Sequence, residues 1–202
     1  MTHFARRIRV VLAAVIAAAL LLVAFASLRT SQAATTALEF VPTSVSLTAD
    51  APTVAMDIRV TGAQDLGAYE IELSFDPSVV TVERVERVVG TAEQPATGRE
   101  WVTLPDPATS GSGYTQLAPG VIIFGGYSFG TNNPAGLDGD VTLVRLRLRG
   151  ASNGSSAIHI DRAEITDTQA AAQPVGGEDA TVNVSGVLRR LFLPLLARAW
   201  AP

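Results

Sequence analysis

The chain of 202 residues contains no cysteine and no lysine, and its only histidines are His3 and His159. Without cysteine there is no disulfide framework, and no thiolate that acts as a nucleophile or a metal ligand. Without lysine there is neither a phosphate-binding loop lysine nor a Schiff base. These absences argue against most enzyme chemistries. We therefore predict a protein with no catalytic residues, no cofactor and no metal site.

The first 33 residues have the pattern of an export signal. Three arginines within the first nine residues precede an uninterrupted apolar run at residues 10–26, and the small-residue segment Ser31-Gln32-Ala33 follows it. This order is typical of a signal peptide. We predict a signal peptide at 1–33 and a bacterial protein that is secreted or held at the cell surface. An uncleaved anchor stays open as the alternative, because the run is at the short limit for spanning a bilayer.

The rest of the chain is acidic. Beyond Ala33 it carries eleven arginines and nineteen carboxylates, a formal charge of −8, so we expect no binding to nucleic acid. Three of those arginines lie in a short basic, apolar tail at 188–202, which follows a domain at 36–187. The tail has three possible roles, and all stay open: it is a sorting element, it packs onto the domain, or it lies on a membrane surface. Membrane contact is expected only there, or through residues 10–26 if they are retained.

One short stretch, 67-GAYEIELSFDPSVVTV-82, carries the clearest strand signal. From Tyr69 to Phe75 large apolar and polar residues alternate, and the pattern stops at Asp76-Pro77. Alternation with a period of two predicts a strand that has one face in a core and the other in water. The predicted inward side chains are Tyr69, Ile71, Leu73 and Phe75, and the outward ones are Glu70, Glu72 and Ser74.

Further strands are predicted along the domain, and no helix. The segment before the first strand signal, 54–60, also alternates, and residues 62–67 between the two are predicted to turn the chain. The remaining predicted strands are 79–89, 101–104, 121–129, 141–149, 157–165 and 180–187, and 105–120 is predicted to be a loop. About nine short strands separated by such loops indicate an all-β protein, an antiparallel β-sandwich.

The order of these segments resembles the cohesin family, whose members bind dockerins in cellulosomes and related cell-surface assemblies. The segment 54-VAMDIRVTGAQDLGAYEIELSFDPSVVTVERV-85 is similar to the front half of a cohesin, with Phe75-Asp76-Pro77 in place of the family's Tyr-Asp-Pro. The second half fits through 121-VIIFGGYSFG-130, 139-GDVTLVRLRLRG-150, 157-AIHIDRAEITDT-168 and 181-TVNVSGV-187. The resemblance implies a nine-stranded sandwich of jelly-roll-like topology, related in fold to some carbohydrate-binding modules.

The resemblance also implies a partner-binding face on one sheet, formed by the strands at 69–75, 121–129 and 157–165. The partner-binding residues carried over to this chain are Glu70, Glu72, Ser74, His159 and Asp161. The run from Tyr69 to Glu72 is closer to the type II pattern, because Ala68 falls where type I cohesins have an asparagine. The implied partner is a dockerin-like protein module.

Each candidate group has a second interpretation. Exposed carboxylates on a strand often serve only solubility, and Glu70 and Glu72 also have the spacing of an inverting glycosidase pair, but an open strand offers no cleft. Arg145, Arg147 and Arg149 share one face of a strand, where pairing with Asp57 is favoured over an anion site. A polar turn is favoured over a calcium cage for four further residues, namely Asn132, Asn133, Asp138 and Asp140.

These observations predict an exported, non-catalytic binding or scaffolding module that recognises a dockerin-type partner in an extracellular or cell-surface assembly, such as one that degrades polysaccharide. Two alternatives stay open. A carbohydrate-binding module would bind polysaccharide directly through exposed rings, for which Trp101, Tyr114 and Tyr127 are the candidates. A structural cell-surface or adhesion domain would have no dedicated ligand.

Overall fold

A computed structural model describes residues 36–96 and 98–186, which form twelve strands and one short helix. The predicted signal peptide at 1–33 and the tail at 188–202 lie outside these residues. The strands are β1 (Thr36–Val41), β2 (Ser44–Leu47), β3 (Thr53–Phe75), β4 (Val80–Arg87), β5 (Glu100–Leu104), β6 (Thr115–Ala118), β7 (Val121–Phe129), β8 (Leu137–Gly150), β9 (Gly154–Asp167), β10 (Ala172–Gln173), β11 (Val175–Gly177) and β12 (Ala180–Val184), and the helix is α1 (Pro107–Ser110).

Strand β3 organises the fold, because its 23 residues pass from one layer to the other. Its first half lies between β1 and β8, and its second half lies between β7 and β9. The predicted turn at 62–67 is therefore wrong. Gly62 and Asp65 do adopt positive φ angles, but the register shifts around them are bulges that bend the strand without reversing it.

Two layers follow from this arrangement. Sheet I has the order β4-β8-β3-β1-β11 and contains the first half of β3. Sheet II contains the second half and has the order β7-β3-β9-β12-β2, with β5 and β6 both paired to β7 and β10 paired to β9. The all-β sandwich predicted from the alternation is confirmed. Every segment predicted as a strand overlaps one, although 54–60 and 69–75 both lie in β3 and β12 ends at Val184.

Three details differ from the prediction. The described residues hold twelve strands instead of about nine. The prediction missed β1, and it missed β2, β6, β10 and β11 because they carry too few residues to show a period. The pairs β1–β11 and β12–β2 are parallel, so the sandwich is not purely antiparallel. The predicted loop at 105–120 contains both β6 and α1, and the N-terminus of α1 is capped by the Asp106 side chain accepting from the Ala108 amide.

The inward side chains of both sheets form one hydrophobic core. Tyr69, Ile71 and Leu73 are buried, as the alternation predicts, while Glu70 on the other face is exposed. Burial of each large apolar side chain contributes roughly 1.5–3 kcal/mol. The largest fully buried side chains are Phe40, Phe124, Leu38, Leu47, Met56, Ile58, Leu66, Ile71, Leu73, Ile122, Leu143 and Leu146.

The outer face of sheet I is covered by ion pairs between neighbouring strands. Arg145 of β8 donates two hydrogen bonds to Asp57 of β3, at 2.7 and 3.0 Å, and also pairs with Glu93. Arg147 and Arg149 pair with carboxylates of β4, each at about 3 Å. Cross-strand pairing of these arginines is therefore confirmed, and none of the three is left as an anion site.

No helix among the described residues is long and apolar enough to cross a membrane.

Candidate functional site

The outer face of sheet II brings together the residues that the sequence predicts as a site. Strand β3 runs between β7 and β9, so Glu70 lies beside Gly125 on one side and Glu164 on the other. Four residues further along β3, Ser74 lies beside His159. The three strands that the resemblance assigns to one face are therefore adjacent.

The outer face of sheet II carries charges of both signs. Arg162 of β9 forms an ion pair with Glu70, and a longer one of 3.8 Å with Glu164. All three side chains are about half exposed or more. A cation therefore lies between two carboxylates at the centre of the face.

Arg162 reaches the outer face because β9 contains a bulge. Glu72 is opposite Arg162 and Leu73 is opposite Ile160, which leaves Asp161 as the extra residue between them. Strict alternation from His159 places Asp161 outward and Arg162 inward. The bulge exposes both, and its signal in the sequence is a change of phase, because the apolar positions are Ile158 and Ile160 before it and Ala163 and Ile165 after it.

The other predicted partner-binding residues form hydrogen bonds along the same edge. Ser74 Oγ donates to Asp161 Oδ1 at 2.9 Å. His159 Nδ1 lies 2.6 Å from Asp179 Oδ2, with both side chains about half exposed. Sequence reasoning missed Asp179 because it lies in the loop before β12, far from His159 in the chain.

Next to the charged residues an open groove crosses β7, and we refer to it as the Gly125 groove. Its volume is about 370 Å³. Glu70, Glu164 and Thr166 line one side, and Leu104, Pro105 and Tyr127 line the other. A Cβ atom at position 125 would come within 2.7 Å of the Tyr69 carbonyl oxygen, so only glycine fits there without movement of the backbone. The backbone of Gly125 therefore lies bare in the lining of the groove.

The aromatic residues proposed for sugar binding are largely unavailable. Trp101 is only 6% exposed and packs against Tyr69, with ring centroids 6.0 Å apart. The hydroxyl of Tyr114 donates to the Val82 carbonyl. Of the three candidates, Tyr127 alone is an exposed ring, and it lies 6.4 Å from a second exposed ring, Phe129, at an angle of 39°.

The remaining hypotheses find no assembled site in the described residues. The Gly125 groove is lined by Glu70 but not by Glu72, so the two carboxylates share no cleft of the kind a glycosidase needs. Asp138 and Asp140 accept hydrogen bonds from the amides of Asp65 and Gly62, and so support the bulged part of β3. No group of three or more His, Cys, Asp or Glu side chains in the described part of the chain is placed to hold a metal ion.

Asp65 joins the bulged part of β3 to two loops. Its carboxylate accepts hydrogen bonds from the Thr168 hydroxyl and from the Gly136 amide. The Thr168 hydroxyl is the main reason that the pKa of this carboxyl lies below its usual value, followed by the Gly136 amide. These contacts fix the corner from which the second half of β3 enters sheet II.

We expect Asp65→Asn to lower the free energy of unfolding by about 1–3 kcal/mol at neutral pH, because hydrogen bonds to a charged acceptor are lost. Asparagine also tolerates a positive φ angle, so the backbone conformation at this position is kept. A lowered pKa in the folded state stabilises the fold above the usual aspartate pKa, and this contribution is lost as the pH falls through the folded-state pKa. Chemical denaturation at several pH values should therefore show the gap between wild type and variant narrowing in acid, and a constant gap would contradict the assignment.

Comparison with known proteins finds likeness in structure but not in sequence. No family model matches the chain, and no curated protein matches it in sequence. The two layers, with β3 continuous from one to the other, define the fold of this chain as a two-layer β-sandwich.

Several solved structures of cohesins share this sandwich. A non-cellulosomal cohesin from Archaeoglobus fulgidus is 17% identical, with 76% of this chain and 93% of that chain covered and a TM-score of 0.51. A type I cohesin–dockerin complex from Clostridium thermocellum matches at 14% identity, 76% and 95% coverage and a TM-score of 0.52. The cohesin module of a family 33 glycoside hydrolase from Clostridium perfringens matches at 8% identity, 75% and 96% coverage and a TM-score of 0.53.

The chain therefore has a cohesin-like fold over about three quarters of its length. At these identities the likeness concerns the fold alone. Two of the matched structures are type I cohesin–dockerin complexes from Clostridium thermocellum, and the comparisons give no support to the type II pattern around Glu70 and Glu72.

Proposed function

We propose that this chain is an exported, non-catalytic binding module that recognises a dockerin-type protein on the outer face of sheet II. The observation that carries the proposal is the adjacency of β7, β3 and β9 in an open face. That face presents the five predicted residues Glu70, Glu72, Ser74, His159 and Asp161 beside one another. Cohesins of the same fold have been solved in complex with dockerins, which supports the choice of partner.

The composition of this face suits a protein partner. Charged side chains lie on β9 and β3, and apolar side chains lie on β7 and β5, where Leu104, Tyr127 and Phe129 are 43–52% exposed. Protein interfaces combine aromatic and apolar anchors with charged groups that select the partner and speed its association. A face made only for solubility has no need of exposed rings beside its carboxylates.

Direct binding of polysaccharide is the second candidate, and the Tyr127–Phe129 pair is the observation that favours it. The two rings are tilted by 39° instead of lying in one plane, which makes them a poor platform for a flat sugar chain. We therefore place polysaccharide binding second.

Titration of the protein with a panel of type I and type II dockerins, followed by calorimetry, tests the proposal. We expect saturable one-to-one binding to at least one dockerin, and the panel also decides which type is preferred. Sedimentation with insoluble cellulose and xylan in parallel tests the second candidate. Binding to polysaccharide but to no dockerin would replace the proposal, and binding to neither would favour a structural surface domain.

A further inference from the structure

The Gly125 groove has two chemically different sides. Glu70 and Glu164 supply carboxylates on one side, while Leu104 and the Tyr127 ring supply apolar surface on the other. The backbone of Gly125 forms part of the floor between them. An occupant that satisfies both sides must combine an apolar part with a positive charge.

The carboxylates are only partly neutralised within the protein. Arg162 donates to Oε1 of Glu70 and lies 3.8 Å from Oε1 of Glu164, too far for a hydrogen bond. One guanidinium thus serves two carboxylates, and a formal charge of −1 remains at the side of the groove. Since neither carboxylate is buried, a cation that enters the groove meets acceptors that still have free capacity.

We propose that the Gly125 groove binds one arginine or lysine side chain of the protein partner. The aliphatic stem lies over Gly125 and against Leu104, and the charged end meets Glu164 and Glu70 beside the Tyr127 ring. Long basic side chains bury their stems on apolar surface while the charged end stays near water, and a guanidinium or ammonium is attracted to an aromatic ring. The inference rests on the proposed function in one respect only, namely that the basic side chain belongs to a protein partner.

The test uses n-butylguanidinium chloride as a probe of the basic side chain and n-pentanol as a neutral probe of similar length. Each is titrated into the isotope-labelled protein, as purified from an expressing bacterium, and amide shifts are followed by NMR. We expect the largest shifts for butylguanidinium at Gly125, Gly126 and Tyr127, and weaker binding of pentanol. Added salt should weaken the binding of butylguanidinium but not that of pentanol.

Two pairs of variants separate the two sides of the groove. Glu164→Gln leaves the Glu70–Arg162 pair in place and should weaken butylguanidinium binding about threefold, the size expected for an exposed ion pair. Its control is Glu83→Gln, which removes a partly exposed carboxylate, paired with Arg149, from the outer face of sheet I. Leu104→Ser should weaken both probes, whereas Leu117→Ser, equally exposed but outside the groove, should change neither.

Equal shifts from both probes, no effect of Glu164→Gln, or shifts spread over both sheets would each overturn the inference. Failure of every dockerin to bind, with butylguanidinium still localised to the groove, would remove the proposed function and leave the site for a basic side chain in place. A dockerin that binds with unchanged affinity to both Glu164→Gln and Leu104→Ser would show that the partner does not use the groove.

Discussion

Replacing Glu70 and Glu72 together by arginine is expected to weaken the binding of a dockerin-type partner at least tenfold. The double change reverses the charge on the outer face of sheet II and places two new cations beside Arg162. Like charges brought together at an interface typically cost several kcal/mol, and each factor of ten corresponds to roughly 1.4 kcal/mol. Calorimetry with the dockerin that binds the wild-type protein most tightly measures the loss.

The fold should tolerate this double variant. Glu70 is about half exposed, and an exposed ion pair such as Glu70–Arg162 contributes at most about 1 kcal/mol. The matched control is Arg145→Glu with Arg147→Glu on the outer face of sheet I, which breaks the pairs with Asp57 and Glu86. This control should lower the free energy of unfolding more than the affinity. Wild-type affinity in the Glu70 and Glu72 variant would move the partner-binding face elsewhere, even with the fold unchanged.

The sequence predicted the parts of the fold that depend on local pattern. Alternation at 69–75 and 141–149 is a property of consecutive residues, so both strands and their inward faces were predictable. The pairing of Arg145 with Asp57 required only the additional knowledge that their strands are neighbours. The cohesin-like fold could also be predicted, because the resemblance depends on the order of several such strands along the chain.

The features that the sequence did not predict depend on distant contacts. Residues 62–67 contain turn-forming types, yet Ala63 and Leu66 pair with β8 and Leu66 also pairs with β9, so the segment stays within β3. The bulge at Asp161 follows from how β9 fits β3, and without it Arg162 would point into the core. The Gly125 groove combines β5, β7, β3 and β9, and no short segment of sequence contains enough of it to suggest a site.

Arg99, like Arg162, has a role that the sequence does not predict. It is 9% exposed and forms no ion pair with a carboxylate in the described part of the chain. Its Nε donates to Ser128 Oγ at 2.8 Å, and its two terminal nitrogens donate to the carbonyl oxygens of Ser128 and Pro134 at 3.0 and 2.5 Å. The guanidinium therefore joins the start of β5 to the end of β7 and to the loop that follows.

We expect Arg99→Ala to lower the free energy of unfolding by about 3 kcal/mol, because it leaves three partly buried acceptors without donors and removes packed volume. Arg99→Lys keeps the charge but cannot reproduce the planar fork that reaches three acceptors, so its loss should be intermediate. Arg99→Met fills much of the volume without donating and serves as the control for packing. Urea denaturation ranks the variants, and a methionine variant as stable as wild type would show that the hydrogen bonds contribute little.

Substitution of Arg99 should also weaken partner binding on the outer face of sheet II. Ser128 donates through its hydroxyl to the Gly67 carbonyl at 2.9 Å, and it lies between Tyr127 and Phe129 on β7. Loss of Arg99 removes the donor that orients this hydroxyl. The backbone of β7 that carries the Tyr127 and Phe129 rings is then held less firmly. At a temperature where Arg99→Lys is still fully folded, we therefore expect weaker partner binding with an unchanged response to Glu164→Gln. Wild-type affinity under those conditions would show that Arg99 stabilises the sandwich without positioning its aromatic surface.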